Sequence, residues 1–555
     1  MLRTLMDREF PALALSVLIA AALACSQAAT TAAPPATAAP ASATNTGVST
    51  SATITAEPAS DPTLMPRSVP PILIGTEYIL LDNPSRIGAL AELLAPVGLQ
   101  MAKPLPEPFA WGKMQTSPDA PIDFDRLDVF VKEFQEAGFS DFLIALKSAS
   151  SWGSRASSAL ITSNPAPRPE YMAAYEAWIS SVVERYDADG FADMPGLLYP
   201  IRYYEIGSEF SSYEPEPVAD YLETLEHAYA AAHRADEDVM VAHAAFLTTL
   251  AFAGNPDPAE YESAFEEVPD LSHNLADIRQ ILDRPEIFDV INVHSLGDPY
   301  EIEDIVLWLG FEMTERGYQK GIMISDTGTT PFVAWGPATA CDRAPAAMGR
   351  IIPPAVEADR CRLADYFSRL VGEDENALRW TQAFAAEDVV KKVVVSAEQG
   401  ILLINTAFAE DLFWQKLPLF QAGAGTSAWA GLVDVEKREY RAGFYALQQL
   451  IRHLDGYERV ARLTLDDEDI RVYEVARPQQ TVWIAWYDPG RLILPGDPVP
   501  ETVAQLELGA STVTVETLIT QFGQTAPNNR TVLSPDGSFI TLTLTPTPVF
   551  IFREG

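Results

Sequence analysis

Two short stretches of the chain each end in a carboxylate whose position suits acid–base chemistry. RYYEIGSEF, residues 202–210, presents Glu209 after a strand-like run and a glycine, and GIMISDT, residues 321–327, presents Asp326 in a similar way. Cleavage of a glycosidic bond needs two facing carboxyl groups, one to protonate the leaving oxygen and one to attack the anomeric carbon or activate water. The pair predicts this chemistry, while two loop carboxylates without a role remain the alternative.

Eight apolar runs alternate with amphipathic segments over residues 71–455, a pattern typical of parallel strands connected by helices. The strand candidates are ILIGTEYIL (72–80), LQMAKP (99–104), DFLIALK (141–147), IRYYEIG (201–207), VMVAHAA (239–245), DVINVHS (289–295), GIMISDT (321–327) and ILLINTA (401–407). We therefore predict a (β/α)8 TIM barrel with Glu209 after the fourth strand and Asp326 on the seventh. An open doubly wound sheet would need an early phosphate-binding glycine loop, which the sequence lacks.

The chain after Gly456 changes to a period of two. SFITLTLT, residues 538–545, alternates apolar residues with threonine, and STVTVETL and TVWIAWYD behave similarly. Residues 456–555 are therefore predicted to form a small all-β sandwich domain that follows the α/β barrel.

The N-terminus has the pattern of an export signal. Arg3 and Arg8 precede an apolar run that is too short to span a membrane and that ends at Cys25. The ending AALAC predicts a lipoprotein signal over residues 1–25 with lipidation at Cys25, although Leu23 lies one place later than that pattern prefers. The Ala/Thr/Ser/Pro-rich residues 26–70 are predicted to be a disordered linker. The protein is then exported and lipid-anchored at a bacterial cell envelope, or otherwise secreted after ordinary cleavage.

The formal net charge of −39 argues against nucleic acids and anionic substrates, because their phosphates or carboxylates would be repelled. Two further cysteines, Cys341 and Cys361, are spaced to close a twenty-residue loop by a disulfide in an oxidising compartment, with two free thiols as the alternative. No zinc pattern, P-loop or nucleophile elbow occurs, so we expect neither a metal nor a cofactor. Oligomeric state is not predicted.

The two carboxylate stretches resemble motifs of glycoside hydrolase clan A. YYEIGSEF is similar to its strand-four motif, whose final glutamate is the acid/base, and GIMISDTGTT is similar to its strand-seven motif, whose carboxylate is the nucleophile. The resemblance covers roughly residues 71–555 and includes a β domain after the barrel. It implies that Glu209 is the acid/base and Asp326 the nucleophile of a glycosidase that acts on a neutral poly- or oligosaccharide.

Two residues depart from the clan pattern. Ser208, which is predicted to contact substrate, replaces the asparagine that usually precedes the acid/base, and Asp326 replaces a glutamate, which withdraws the carboxylate by roughly 1.5 Å. A retaining enzyme with an aspartate nucleophile, an inverting enzyme, and a catalytically silent carbohydrate-binding or scaffold lipoprotein therefore all stay open. A retaining hydrolase is placed first.

Further residues are predicted to support substrate binding. Aromatic rings stack on the C–H faces of neutral sugars, and four tryptophans follow barrel strands: Trp111, Trp152, Trp335 and Trp414. Packing of the loops is the alternative for each tryptophan. His294 ends the sixth strand, where it is predicted to contact substrate or orient Asp326, while His243 and Glu205 are interpreted as structural.

Overall fold

The computed structural model describes residues 71–81, 83–155, 164–213, 216–266, 273–327, 341, 355–411, 429–534 and 539–553. The predicted signal, Cys25, the predicted linker, Trp335 and Trp414 lie outside these residues. No helix within the described residues is long and apolar enough to cross a lipid bilayer.

Eight parallel strands close into a barrel in the order in which they occur in the chain, which confirms the predicted fold class. Each strand lies within two residues of its predicted start and end. The strands are β1 (Leu73–Ile79), β2 (Met101–Pro104), β3 (Asp141–Leu146), β4 (Tyr203–Glu209), β5 (Met240–Leu247), β6 (Val290–His294), β7 (Gly321–Asp326) and β8 (Leu403–Phe408).

Helices lie around the barrel, and most of them bury apolar residues in its core. In the order of the chain they are α1 (Pro84–Leu94), α2 (Trp111–Met114), α3 (Asp125–Glu136), α4 (Met172–Arg185), α5 (Phe210–Tyr213), α6 (Val218–Ala235), α7 (Thr249–Phe252), α8 (Tyr261–Glu266), α9 (Leu275–Leu282), α10 (Glu301–Arg316), α11 (Arg360–Val371), α12 (Glu375–Glu398) and α13 (Ala442–Leu454). The stripe of α10 illustrates the pattern, because Ile302, Ile305, Leu309 and Met313 recur at helical spacing and are all buried. The buried face of α11 instead packs in a separate cluster with Trp429, Leu492 and Leu494.

The barrel interior is layered, because inward-facing side chains alternate along each strand. An apolar layer near the strand starts contains Met101, Leu143, Ala242, Val290, Met323 and Leu403. Two residues further along the strands lie the buried polar side chains of Lys103, Glu205, Asn292, Ser325 and Asn405. Gly75 leaves room for this second layer, since a Cβ there would lie 2.2 Å from Oδ1 of Asn405. The polar layer therefore forms the floor beneath the mouth of the barrel.

The C-terminal part of the chain is antiparallel β structure, as predicted. Its strands are β9 (Val433–Asp434), β10 (Glu439–Tyr440), β11 (Arg459–Arg462), β12 (Ile470–Ala476), β13 (Thr481–Tyr487), β14 (Thr502–Leu506), β15 (Thr512–Thr517), β16 (Asn529–Leu533), β17 (Ile540–Leu544) and β18 (Val549–Arg553). A six-stranded sheet, β11-β12-β13-β18-β15-β16, and the pair β14-β17 enclose their own apolar core. The β9-β10 hairpin precedes α13 and stands apart from both sheets.

Direct polar contacts join the sandwich to the loop after β6. The Tyr300 hydroxyl donates to Oδ2 of Asp488 at 2.7 Å and accepts from Nε1 of Trp486 at 2.8 Å. The guanidinium of Arg471 lies 4.0 Å from the centre of the Tyr300 ring. These contacts connect the sandwich to the end of the barrel at which the strands finish.

Cys341 and Cys361 form a disulfide, with their Cα atoms 4.4 Å apart. The bond ties the segment between β7 and α11 to the second residue of that helix. Of the two alternatives left open by the sequence, the structure has the disulfide.

Candidate active site

Glu209 is aimed by an irregularity at the end of β4. The register between β4 and β5 shifts between Ile206 and Glu209, which is the signature of a β-bulge. Gly207 has φ +98°, a conformation that a residue with a Cβ rarely adopts. The glycine of the IGSE motif thus allows the bulge that turns the Glu209 carboxylate toward the mouth of the barrel.

Asp326 follows a second bulge on the opposite side. The register between β6 and β7 shifts so that Ile324 pairs with Val293 but Asp326 pairs with His294. The carbonyl of Ser325 accepts hydrogen bonds from Nζ of Lys103 at 3.1 Å and from Nδ2 of Asn405 at 3.2 Å. The backbone that carries Asp326 is therefore fixed from inside the barrel.

The two predicted carboxylates meet at the mouth. One oxygen each of Glu209 and Asp326, and one ring nitrogen of His294, all lie within 4.8 Å of one another. Asp326 is buried, and the side chain of Glu209 is 12% exposed. The geometric condition for a cooperating pair, two carboxylates facing each other across the mouth, is satisfied.

His294 contacts Glu209 and Ser325. Its Nδ1 lies 2.8 Å from Oε1 of Glu209 and its Nε2 lies 3.0 Å from the hydroxyl oxygen of Ser325. A neutral imidazole with its proton on Nδ1 satisfies both contacts, donating to the carboxylate and accepting from the hydroxyl. The ring is thus placed to hold the proposed acid/base, whereas the sequence had suggested Asp326 or substrate as its partner.

Beneath the pair lies a buried ion pair. Nζ of Lys103 is 3.1 Å from Oε2 of Glu205, and both side chains are buried in the polar layer. Burial acts to lower the pKa of Lys103, but the carboxylates of Glu205, Glu77 and Asp326 raise it above its ordinary value, so Lys103 carries its charge. Glu205 was predicted to be an interior carboxylate that needs a partner, and Lys103 is that partner.

Glu77 is a further residue of this site that was not predicted from the sequence. It lies on β1, is 2% exposed, and its side chain is hydrogen-bonded to that of Asp326. Burial, and then the neighbouring Asp326 carboxylate, hold the pKa of Glu77 well above its ordinary value. The signal was present in the sequence, because Glu77 shares the inward parity of Leu73 and Gly75 in the first strand candidate.

The donor set at the mouth is that of a carboxylate pair with a supporting imidazole. Glu209, His294 and Asp326 bring ligand-type atoms together, but both ring nitrogens of His294 already have partners in Glu209 and Ser325. Coordination of a cation would cost one of those hydrogen bonds, so we assign no metal here. A second acidic group, Glu184, Asp187 and Asp189, lies at the C-terminal end of α4 and takes no part in this site.

Two of the tryptophans predicted to stack on sugar, Trp111 and Trp152, lie within the described residues, and their environments differ. Trp111 is 0% exposed and packs edge-on against Trp152, with ring centres 4.6 Å apart, and against Tyr175. A ring without a free face cannot stack on a sugar, so the substrate-binding prediction for Trp111 is wrong and its role is core packing. Trp152 is partly exposed and donates from Nε1 to the Gln115 carbonyl at 2.7 Å, and its role as a platform stays a prediction.

Two other polar residues considered in the sequence, His243 and Ser208, lie in the barrel strands β5 and β4. His243 is completely buried, its Nδ1 lies 2.8 Å from the Ala244 carbonyl, and burial lowers its pKa to about 4, in keeping with the structural role predicted for it. Ser208 is partly exposed beside Glu209 at the end of β4. Its predicted contact with a sugar stays a prediction.

Comparisons with known proteins bear on the fold. No protein-family model matches the chain, and no curated protein matches it. Among solved structures, a family 39 glycoside hydrolase from Bacteroides cellulosilyticus WH2 is similar, with TM-score 0.53, 13% identity and coverage of 88% of this chain and 82% of that one.

Two further structures are similar at comparable levels. A GH39 enzyme from Xanthomonas axonopodis pv. citri has TM-score 0.50 and 10% identity, with coverage of 87% of this chain and 93% of that one. AbfB, a family 51 α-L-arabinofuranosidase from Bifidobacterium longum, has the same TM-score and identity and covers 87% of this chain and 96% of its own. The chain therefore has the fold of these glycoside hydrolases, a closed eight-stranded barrel that continues into antiparallel sheets.

Proposed function

We propose that this protein hydrolyses O-glycosidic bonds in a neutral poly- or oligosaccharide. The observation that carries the proposal is the meeting of Glu209 and Asp326 at the barrel mouth, with carboxylate oxygens within 4.8 Å of each other. In such a barrel, groups at the C-terminal ends of different strands act together on a substrate held by the loops. A facing carboxylate pair on strands four and seven is the minimum that this chemistry needs.

The spacing favours a retaining mechanism. Retaining glycosidases keep their carboxyl groups about 5 to 5.5 Å apart, whereas inverting ones leave about 6.5 to 9.5 Å for a water molecule. One oxygen of Glu209 lies within 4.8 Å of one oxygen of Asp326, which is compatible with the closer arrangement.

In the first step, Asp326 attacks the anomeric carbon as the bond to the leaving oxygen breaks and Glu209 gives that oxygen its proton. In the second step, water attacks the same carbon, its proton passes to Glu209, and the ester bond to Asp326 breaks. The sum is one water consumed and one glycosidic bond cleaved. His294 holds Glu209 in place through both steps by its hydrogen bond to Oε1.

The charge of the chain supports a neutral substrate. Two carboxylates at the mouth and a net charge of −39 would repel phosphorylated or uronic acid-rich glycans. Trp152, with part of its ring exposed, and Ser208 are the described residues proposed to contact the sugar. Trp335 and Trp414 are proposed to complete the rim from the loops after β7 and β8.

The test uses the full-length protein with a panel of aryl glycosides and natural neutral glycans. Wild-type protein should release sugar, and Glu209→Gln should lower kcat by about 10²- to 10⁴-fold because general acid–base assistance is lost. Glu136→Gln, the same change at a 58% exposed glutamate of α3, is the matched control. Turnover unaffected by Glu209→Gln would remove Glu209 from the mechanism.

Two further measurements complete the test. The anomeric configuration of the first-formed product, followed by proton NMR, should match that of the substrate if the mechanism is retaining. Sugar binding by calorimetry without turnover of any substrate would instead identify a carbohydrate-binding or scaffold protein with a glycosidase-like fold.

We also propose that the protein is exported and held at the cell envelope by a lipid on Cys25. The support is the apolar run that ends in AALAC and the Ala/Thr/Ser/Pro-rich segment that follows it. Cys25→Ala should move the protein from the membrane fraction to the soluble fraction and abolish incorporation of labelled fatty acid. An unchanged distribution with no labelling of the wild-type protein would contradict the anchor.

A further inference from the structure

Glu77 occupies an unusual environment for a carboxyl group. It lies beneath the mouth on β1, its Oε1 has no hydrogen-bond partner among the described residues, and its side chain hydrogen-bonds to the carboxylate of Asp326. Two ionised carboxylates repel each other and neither can donate, so this contact requires a proton on one of them. Glu77 is 2% exposed and Asp326 is 7% exposed at the mouth, so the deeper group is the better place for the proton.

The charges around Glu77 lead to the same assignment. The groups that act on it are Asp326 from β7, Lys103 from β2 and Glu205 from β4. From β8, Phe408 pairs with Glu77 in register, and the Glu410 beyond it is paired with Arg86.

Lys103 cannot neutralise the whole group. Its Nζ lies 3.1 Å from Glu205 and donates to the Ser325 carbonyl at 3.1 Å, so its single charge is engaged mainly by Glu205. Three ionised carboxylates around one ammonium would leave two uncompensated charges in a buried site. If one carboxyl group keeps its proton, one uncompensated negative charge remains instead of two.

The backbone of β1 is distorted at this point. Its register with β8 shifts between Gly75 and Glu77, and its register with β2 shifts between Thr76 and Ile79. Tyr78 has φ +58°, a left-handed conformation that is uncommon for a bulky residue. Strain of this kind is found where a side chain must be presented in a particular direction. The distorted stretch of β1 is thus the stretch that carries Glu77.

We propose that Glu77 is a positioning residue whose carboxylic acid donates a hydrogen bond to Asp326 and holds this short side chain in place for attack. The proton stays on Glu77 throughout, so no bond to it is made or broken in the reaction. The positioning role in catalysis rests on the proposed glycosidase function, whereas the protonated contact between the two residues does not.

The variants Glu77→Gln and Glu77→Leu distinguish the effect of hydrogen-bond donation from the effect of side-chain volume. The Gln amide can donate to Asp326, and the Leu side chain cannot. With an aryl glycoside, Glu77→Leu should lower kcat by about ten- to a hundredfold with little change in KM, as expected for a misplaced reacting group. Glu77→Gln should recover most of that loss. Equal damage by both variants, or a change confined to KM, would overturn the positioning role.

Thermal unfolding without substrate tests the protonated contact independently of activity. The pKa of Glu77 is raised in the folded protein above its ordinary value of 4.5, so its stabilising effect is complete below that pH and is lost as the pH rises toward the folded pKa. The Tm of Glu77→Gln relative to wild type should therefore increase from pH 4 to pH 9. A flat difference would overturn the proposal even if the enzyme is active.

Asp326→Asn supplies the matched background. Removal of the Asp326 charge takes away the largest charge effect on Glu77, so the pH dependence of the Glu77→Gln difference should be smaller there than in the wild-type background. The same slope in both backgrounds would contradict the contact. If wild-type protein hydrolyses no glycoside, a pH-dependent difference that shrinks in the Asp326→Asn background would still establish the Glu77–Asp326 pair.

Discussion

Nδ1 of His294 lies 2.8 Å from Oε1 of Glu209, across the gap between strands four and six. Its other nitrogen is held by Ser325, the residue before Asp326, so one imidazole connects the strands that carry both carboxylates. The Glu209 carboxylate is thereby linked through one ring to the side chain of the residue that precedes Asp326.

Replacement of His294 by alanine should lower kcat by about ten- to a hundredfold and leave KM within a few-fold, because Glu209 loses the group that orients it. Steady-state kinetics with an aryl glycoside measure both constants. His227→Ala, at a partly exposed histidine of α6, serves as the control. A rise in KM with unchanged kcat would instead make His294 a substrate contact.

Asp326→Glu should lower activity by about a hundredfold although it restores the residue type of the clan motif. The longer side chain advances the carboxylate by roughly 1.5 Å into space shared with Glu209 and His294, and an error of this size carries such a cost in rate. Asp238→Asn, at a 73% exposed aspartate, controls for handling of the variants. Higher activity in Asp326→Glu than in wild type would mean that aspartate is the poorer nucleophile at this position.

Gly207→Ala should destabilise the protein by about 1 to 2 kcal/mol, because φ +98° forces the new Cβ against the backbone. Activity should fall with it, since the bulge aims Glu209. Gly310→Ala is the matched control: this glycine lies within α10 with open space around it, and the change should stabilise by about 0.5 to 1 kcal/mol. Chemical denaturation measures the free energy of unfolding of both variants. Equal changes in unfolding free energy for the two variants would contradict the need for glycine at position 207.

Trp111→Ala should cost about 3 to 5 kcal/mol of unfolding free energy, as expected for a large core side chain. Trp152→Ala should cost less because its ring is partly exposed. If Trp152 stacks on sugar, its variant should also raise KM at a temperature where the fold is intact. A rise in KM of similar size for a folded Trp111→Ala would contradict our assignment of Trp111 to the core.

Asp298, in the loop after β6, should make stability depend on pH. Burial and the nearby Glu301 raise its pKa to about 7 from an ordinary value of 3.8. Stability is therefore lost as the pH rises from about 4 to about 7, where the folded protein must give up a proton it prefers to keep. The Tm of Asp298→Asn relative to wild type should increase over this interval and stay level above it. A constant difference would contradict the raised pKa.

The strands, their order and the positions of Glu209 and Asp326 were predictable because hydrophobic periodicity is a local property of the sequence. The bulges were not, since a register shift depends on which neighbour a strand pairs with. Glu77 was overlooked for that reason: its parity was visible, but its contact with Asp326 joins strands one and seven. Trp111 was misassigned because residues far along the chain, such as Tyr175, cover the ring.

The junction at Tyr300 has a consequence for modular use of the protein. Its hydroxyl is bound by Trp486 and Asp488, so the sandwich forms part of the wall behind the loop that continues from His294. A barrel cut free of the sandwich would expose that wall to water and release the loop. We therefore expect the barrel to need the sandwich for an ordered loop after β6, and a graft of this loop onto another barrel to need Trp486 and Asp488 as well.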